Sequence, residues 1–149
     1  MREIKFRYLW KFNDSFVKMF FIIDQIEHGA VNDFICSDEF PSYPIYSVKN
    51  QFTGLKDKNG IDIYEGDIVS MHTECIEPYP YHNQGADDFD VQRIGEVRIQ
   101  ASKGAVIIKP LNICNEMGDK RRHKWNVQLS AYRSVVIGNI YENPELLGG

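Results

Sequence analysis

The stretch Glu3-Ile4-Lys5-Phe6-Arg7-Tyr8-Leu9-Trp10-Lys11-Phe12 places an apolar or aromatic side chain at every even position. Side chains of a strand alternate between its faces, so this period of two predicts a strand whose buried face is lined by Ile4, Phe6, Tyr8, Trp10 and Phe12. Asn13-Asp14-Ser15 supplies turn chemistry, and Phe16 to Ile23 is a second apolar run, so residues 3–23 read as a hairpin. From Phe20 to Ile23 the second strand is apolar on both faces, which puts it in a core on both sides or at a subunit interface.

Past the hairpin, Gly29, Pro41 and Pro44 break residues 24–50 into an irregular segment, with a short helix expected around Asp24 to His28. Asn59-Gly60 is a tight-turn signal, because both residues tolerate positive φ. Ile61, Ile63 and Tyr64 follow, and the Glu65-Gly66-Asp67 corner leads into a strand at Ile68-Val69. Residues 71–92 hold Glu74, Glu77, Asp87, Asp88 and Asp90, several breakers and no Lys or Arg, and are expected to be a loop. Gly95 to Ile99 and Gly104 to Ile108 read as short strands split by a Ser102-Lys103-Gly104 turn, with Pro110 closing the second. A connection over residues 112–124 leads to Trp125 to Leu129 and to a buried strand around Val135-Val136-Ile137. Asn143-Pro144 predicts an N-cap and a first-turn proline opening a single terminal turn of helix.

About five short strands between residues 61 and 141 suit a small antiparallel barrel, so the expected fold is mainly β with minor α. Residues 1–50 form an N-terminal β-hairpin segment, and residues 51–149 form the barrel with long loops at 71–92 and 112–124. At 149 residues the chain is also short enough for the two parts to form one integrated domain, the smaller sharing the core of the larger.

Composition narrows the classes of function. Hydrophobic residues make up 43% of the 149 and charged residues 26%, enough to bury a core. A net charge of -4 argues against broad electrostatic attraction to nucleic acid or anionic lipid. The longest apolar run, Phe20-Phe21-Ile22-Ile23, falls far below the about 18 residues of a membrane-spanning helix. The charged N-terminus is no secretory signal, and Cys36, Cys75 and Cys114 form no C-x-x-C pair. A cytoplasmic protein with free thiols is expected.

Three separated blocks carry a family resemblance: Met1 to Arg7; Gln51-Phe52-Thr53-Gly54-Leu55-Lys56-Asp57-Lys58-Asn59-Gly60 with Ile63 to Val69; and Val136 to Leu147. Together they resemble the YopX family of phage and prophage proteins. The resemblance implies an SH3-type β-barrel in the C-terminal part, a β-containing N-terminal segment, self-association and carriage on phage or prophage genomes, so the cytoplasm expected above is that of a bacterial host. It implies no established activity and no cofactor.

Four candidate chemistries stand beside it. His72, Glu74, Cys75, Glu77 and His82 lie within eleven residues, and His72, Cys75 and His82 are the imidazole and thiolate donors a zinc ion would take, although the spacing matches no standard zinc motif. Lys120-Arg121-Arg122-His123-Lys124-Trp125 is a basic cluster whose cations could hold phosphates while the Trp125 indole stacks on a base. Glu65 and Asp67 are a carboxylate pair, but the corner around them reads first as a folding device, with Gly54, Gly60, Gly66 and Asp67 as structural turn residues. No G-x-S-x-G, phosphate loop or H-E-x-x-H supports an enzyme, and no catalytic residue is assigned. The expected role is therefore a non-catalytic self-assembling or protein-interaction module, its partner a second copy or a phage or host protein. A nucleic-acid-binding accessory protein and an enzyme of unknown class are the alternatives.

Overall fold

A computed structural model of the chain describes residues 3–41, 43–75, 89–114 and 119–148. It is mainly β, with 54% strand and 15% helix. The chain divides into two compact units, Met1–Leu55 with Asp62–Glu65, and Lys56–Ile61 with Gly66–Gly149.

The first unit contains β1 (Lys5–Lys11), β2 (Phe16–Ile22), α1 (Ile23–Glu27), α2 (Ala30–Ile35), β3 (Tyr46–Lys56) and β4 (Asp62–Tyr64). Its sheet runs β2-β1-β3-β4. β1 and β2 form the expected hairpin, in register from Lys5 opposite Ile22 to Lys11 opposite Phe16, closed by the Phe12 N–H donating to the Ser15 carbonyl at 2.8 Å. The even face of β1 packs as foreseen toward its end, where Trp10 and Phe12 are buried with Phe21, and Tyr8, Met19, Ile26, Val31, Phe34 and Phe40 lie against them, but Ile4 at its start is 49% exposed. Edge-to-face and tilted rings join the sheet to the helical side, Trp10 lying 5.5 Å from Phe34 and 5.3 Å from Phe40 between centroids. Such pairs add roughly 0.5–1.5 kcal/mol each beyond burial.

The opposite face of β1 is buried more deeply than the alternation predicts. Leu9 is fully buried and Arg7 is only 4% exposed. An arginine can lie there because its donors are satisfied and its flat cation has a ring to sit over. Nη2 donates to Asn50 Oδ1 at 3.0 Å, Nε donates to the same oxygen at 3.3 Å, and the guanidinium carbon lies 5.2 Å from the Tyr64 ring centre. Helix α1 falls where a short helix was expected; α2 lies in the segment read as irregular, separated from α1 by Gly29 at φ 81°.

The second unit contains β5 (Asp67–Cys75), β6 (Phe89–Gln100), β7 (Gly104–Cys114), β8 (Asp119–Arg122), β9 (Val127–Gln128) and β10 (Ser134–Asn139). The strands pair antiparallel in the order β10-β5-β6-β7-β8, with β9 also on β7. Ile68, Val69, Val97 and Ile107 are fully buried and form the centre of its core. The expected small barrel is not confirmed, since no sheet is closed among the described residues. Closure would need the end strands β10 and β8 to pair, and among the described residues they do not.

Two parts of the expected loops are strand instead. Residues 71–75 and 89–92 extend β5 and β6, with Thr73 opposite Val91, and residues 112–114 and 119–122 belong to β7 and β8. Pro110 does not end β7, because a bulge carries the strand past it: Ile94 pairs with Leu111, then Glu96 with Ile108. A proline lacks the N–H that a ladder needs, and a bulge is where that loss is tolerated. Gly95 makes the bulge fit, since a Cβ there would stand 2.5 Å from Ile107 Cγ2 and 3.2 Å from the Pro110 Cα.

Candidate functional site

Of the predicted turn residues, Gly60 and Gly66 sit at corners and Asp67 opens β5, whereas Gly54 lies within β3. Gly54, Gly60 and Gly66 have φ of 86°, 81° and 87°. At Gly66 the N–H donates to the Val97 carbonyl and the carbonyl accepts from the Ile140 N–H, each at 2.9 Å, so the left-handed corner ties the start of β5 to its sheet. Asp67 is buried opposite Asn139, and the Glu65 carbonyl accepts from Arg7 at 3.5 Å. Asp57 was missed in the sequence reading. Its Oδ1 accepts the N–H groups of Asn59 and Ile61 at 2.9 Å, and its Oδ2 accepts the Val136 N–H at 3.0 Å, so one buried carboxylate holds both the turn and β10. The Asp-x-Asn-Gly pattern was the available signal, because Asp bonds the backbone two residues on.

The metal candidates are only partly within view. His72 is exposed on β5 opposite Gln92, Cys75 ends that strand, and Glu77 and His82 lie outside the described residues. Among the described residues no group of three or more potential metal ligands converges.

The basic cluster does not form one surface. β8 lies at the end of its sheet, with Arg122 opposite Leu111, Arg121 opposite Asn112 and Lys120 opposite Ile113. Alternation therefore places Lys120 and Arg122 on one face and Arg121 on the other. Arg122 is structural: it donates to the carbonyls of Lys109 at 3.2 Å, Leu147 at 2.6 Å and Gly148 at 3.3 Å. It thus ties the bulge to the terminal 3-10 turn Pro144–Leu147, whose proline stands at the first positions as expected. The Asn143 side chain accepts the Asn139 N–H at 3.3 Å instead of capping that turn. Lys124 and Trp125 follow in an exposed turn, in which the Trp125 N–H donates to His123 Nδ1 at 3.1 Å. Trp125 is 72% exposed.

The apolar second strand foreseen in the hairpin is the end strand of its sheet. Phe21 goes into the core, but Phe20 is 50% and Ile22 37% exposed, with Ile4 and Ile23 exposed at the same end. Lys18 is the one charged residue of β2. Nearby, Lys5 bridges Asp62 at 2.6 Å and Glu3 at 3.2 Å, with its ammonium 4.4 Å from the Phe52 ring centre. The Asp62 hydrogen bond outweighs burial and holds the Lys5 pKa above its ordinary value. Cys36 is exposed and unpaired as a thiol. No helix among the described residues is long and apolar enough to cross a membrane.

Three comparisons place the chain among known proteins. No curated protein matches it. Among solved structures it is similar to the crystal structure of protein EF1440 from Enterococcus faecalis, with 22% identity over 97% of each chain and a TM-score of 0.42. The model of the YopX protein family matches residues 10–148, and with that match running over nearly its whole length, this chain belongs to the YopX family.

Proposed function

We propose that the protein is a non-catalytic assembly module that pairs with a second copy of itself through β2, in the cytoplasm of a phage-carrying bacterium. The observation that supports this most is the open edge of β2: a strand with a neighbour on one side only among the described residues, on which Ile22 is 37% exposed and Phe20 is half exposed with its ring 5.5 Å from that of Tyr64. Unpaired strand edges bind other strands, and soluble proteins normally blunt them with charge, proline or cover.

The strand is also complementary to itself. In an antiparallel pair centred on Met19, Lys18 stands opposite Phe20 of the second copy and Phe16 opposite Ile22, with all seven residues of β2 engaged and no like charges facing. Lysine over phenylalanine is already used within this sheet, where Lys11 Nζ lies 4.3 Å from the ring centre of its cross-strand partner Phe16. The test is light scattering at tens of micromolar protein. The wild type is expected to be a dimer, Phe20→Lys a monomer because it faces Lys18 across the axis, and Phe20→Glu a dimer held by two Lys18–Glu pairs. A monomeric wild type, or two variants with the same mass, overturns the reading.

Exposed Trp125 beside Lys124 favours a second reading, nucleic-acid binding. A Trp125→Ala variant that binds single-stranded DNA as well as the wild type at low salt removes it.

A further inference from the structure

The backbone of β2 divides its polar groups between its neighbour β1 and its open edge. The Ile23 N–H donates to the Ile4 carbonyl at 2.9 Å and the Phe12 N–H to the Ser15 carbonyl at 2.8 Å, and the register between these two bonds runs without a shift. In an antiparallel ladder the N–H and C=O of one residue point to the same side and those of the next residue to the other. Val17, Met19 and Phe21 therefore turn their backbone groups to β1, while Phe16, Lys18, Phe20 and Ile22 turn theirs to the open edge.

One of these outward groups is already taken. The Ile22 N–H donates to Gln25 Oε1 at 3.0 Å, a side chain that reaches back from the first turn of α1. The end strand β10 is treated in the same way, since Asp57 Oδ2 accepts the Val136 N–H at 3.0 Å. A side-chain acceptor on an outward N–H occupies the donor that an incoming strand would use, because each residue brings only one.

The consequence falls on the self-pairing proposed above, and it rests on that reading. In the register centred on Met19, Lys18 of one copy and Phe20 of the other meet with their outward groups aligned, so they exchange bonds directly. Phe16 and Ile22 also stand opposite one another, and the Ile22 carbonyl is open to the Phe16 N–H of the second copy. The return bond, from the Ile22 N–H to the Phe16 carbonyl of the second copy, needs the hydrogen that Gln25 holds. We infer that Gln25 sets where the second copy stops: it ends the shared ladder short of the Ile22 N–H and withholds one hydrogen bond at each end of the pair.

Sedimentation equilibrium of the full chain tests this with two variants. Gln25→Met keeps the length of the side chain and removes its acceptor, and Gln25→Ala removes both. Each is expected to tighten dimerisation about tenfold, since one hydrogen bond is regained at each end. Tightening by Gln25→Met alone would assign the effect to added apolar surface and overturn the inference. Amide hydrogen exchange of the wild type gives a reading that needs no variant. Protection at Lys18 and Phe20 is expected to rise with protein concentration, while protection at Ile22 stays constant; in Gln25→Met, Ile22 is expected to rise with the other two. A dimeric wild type whose association neither variant changes, or an Ile22 amide that gains protection with concentration in the wild type, overturns the role of Gln25 and leaves the pairing standing. If the wild type and both variants are monomers, both readings fall. A wild type that stays monomeric while both variants dimerise upholds the role of Gln25 and removes the pairing of the wild type.

Discussion

Among the described residues each sheet has an end strand on either side, and two of these, β8 and β2, are built on opposite rules. β8 reads Asp-Lys-Arg-Arg, presents exposed cations on both faces, and is tied down by Arg122 to the bulge and the terminal turn. β2 reads Phe-Val-Lys-Met-Phe-Phe-Ile, with Phe20 half exposed. Charge on an edge repels a second strand, whereas an apolar edge attracts one. The contrast between these two edges is what the proposed pairing through β2 rests on.

The largest effect should come from giving β2 the rule of β8. Phe20→Lys combined with Ile22→Lys, next to the existing Lys18, creates a stripe of cations along the outward face. Loss of two apolar contacts per copy and the new repulsion across the axis are expected to raise the dimer dissociation constant at least about 100-fold. Sedimentation equilibrium reads the change, with the wild-type circular dichroism retained; an unaltered association constant would show that β2 is not the contact.

The opposite experiment leaves the edges alone and attacks the inside of the second sheet. Gly95→Ala drives a methyl into Ile107 and toward the Pro110 backbone, and backbone cannot yield as a side-chain tip can. Overpacking of this kind costs about 1–3 kcal/mol. Urea unfolding is expected to show that loss with dimerisation by β2 unchanged in the folded fraction; a variant as stable as the wild type would mean that the bulge relaxes freely.

Gly95 also marks where sequence reasoning stopped. The hairpin of residues 3–23, the Asn59-Gly60 and Glu65-Gly66-Asp67 corners and the terminal proline turn were legible because each rests on local chemistry: alternation, positive φ, a missing N–H. The buried rear face of β1 was not, because Arg7 reads as polar until Asn50 and Tyr64, more than forty residues away, supply its partners. Helix α2 did leave a signal, the helical spacing of Ala30, Val31 and Phe34, which Gly29 concealed. β7 looked finished at Pro110 because a bulge is a relation between two strands, and one strand alone cannot display it. The basic cluster, compact as a string, is divided by the alternation of a strand the sequence had read as loop.

Arg122 provides a smaller test of how the guarded edge is held. Arg122→Ala removes donors from three carbonyls, all near the surface, so water replaces part of what is lost. A cost of about 1–2 kcal/mol is expected. Hydrogen exchange should place it at β8 and the terminal turn and leave β1 and β2 as protected as before. Uniform loss of protection across both sheets would contradict the local role.

The smallest effect belongs to Lys5, beside β2 in its sheet. Its folded-state pKa is raised, first by the Asp62 hydrogen bond, so the charged form is favoured on folding. The stability this confers is fully present below the unfolded-state pKa of about 10.4 and is lost as pH rises through the higher folded value. Lys5→Met should therefore melt below the wild type by a constant margin from about pH 7 to about pH 10, and the margin should narrow above that. The salt bridge is mostly shielded from solvent, with 16% of the Lys5 and 23% of the Asp62 side chain exposed, so moderate salt should leave the margin largely intact. A margin that stays flat through the alkaline range would assign the contribution of Lys5 to its methylenes and its place over Phe52, not to the charge it shares with Asp62.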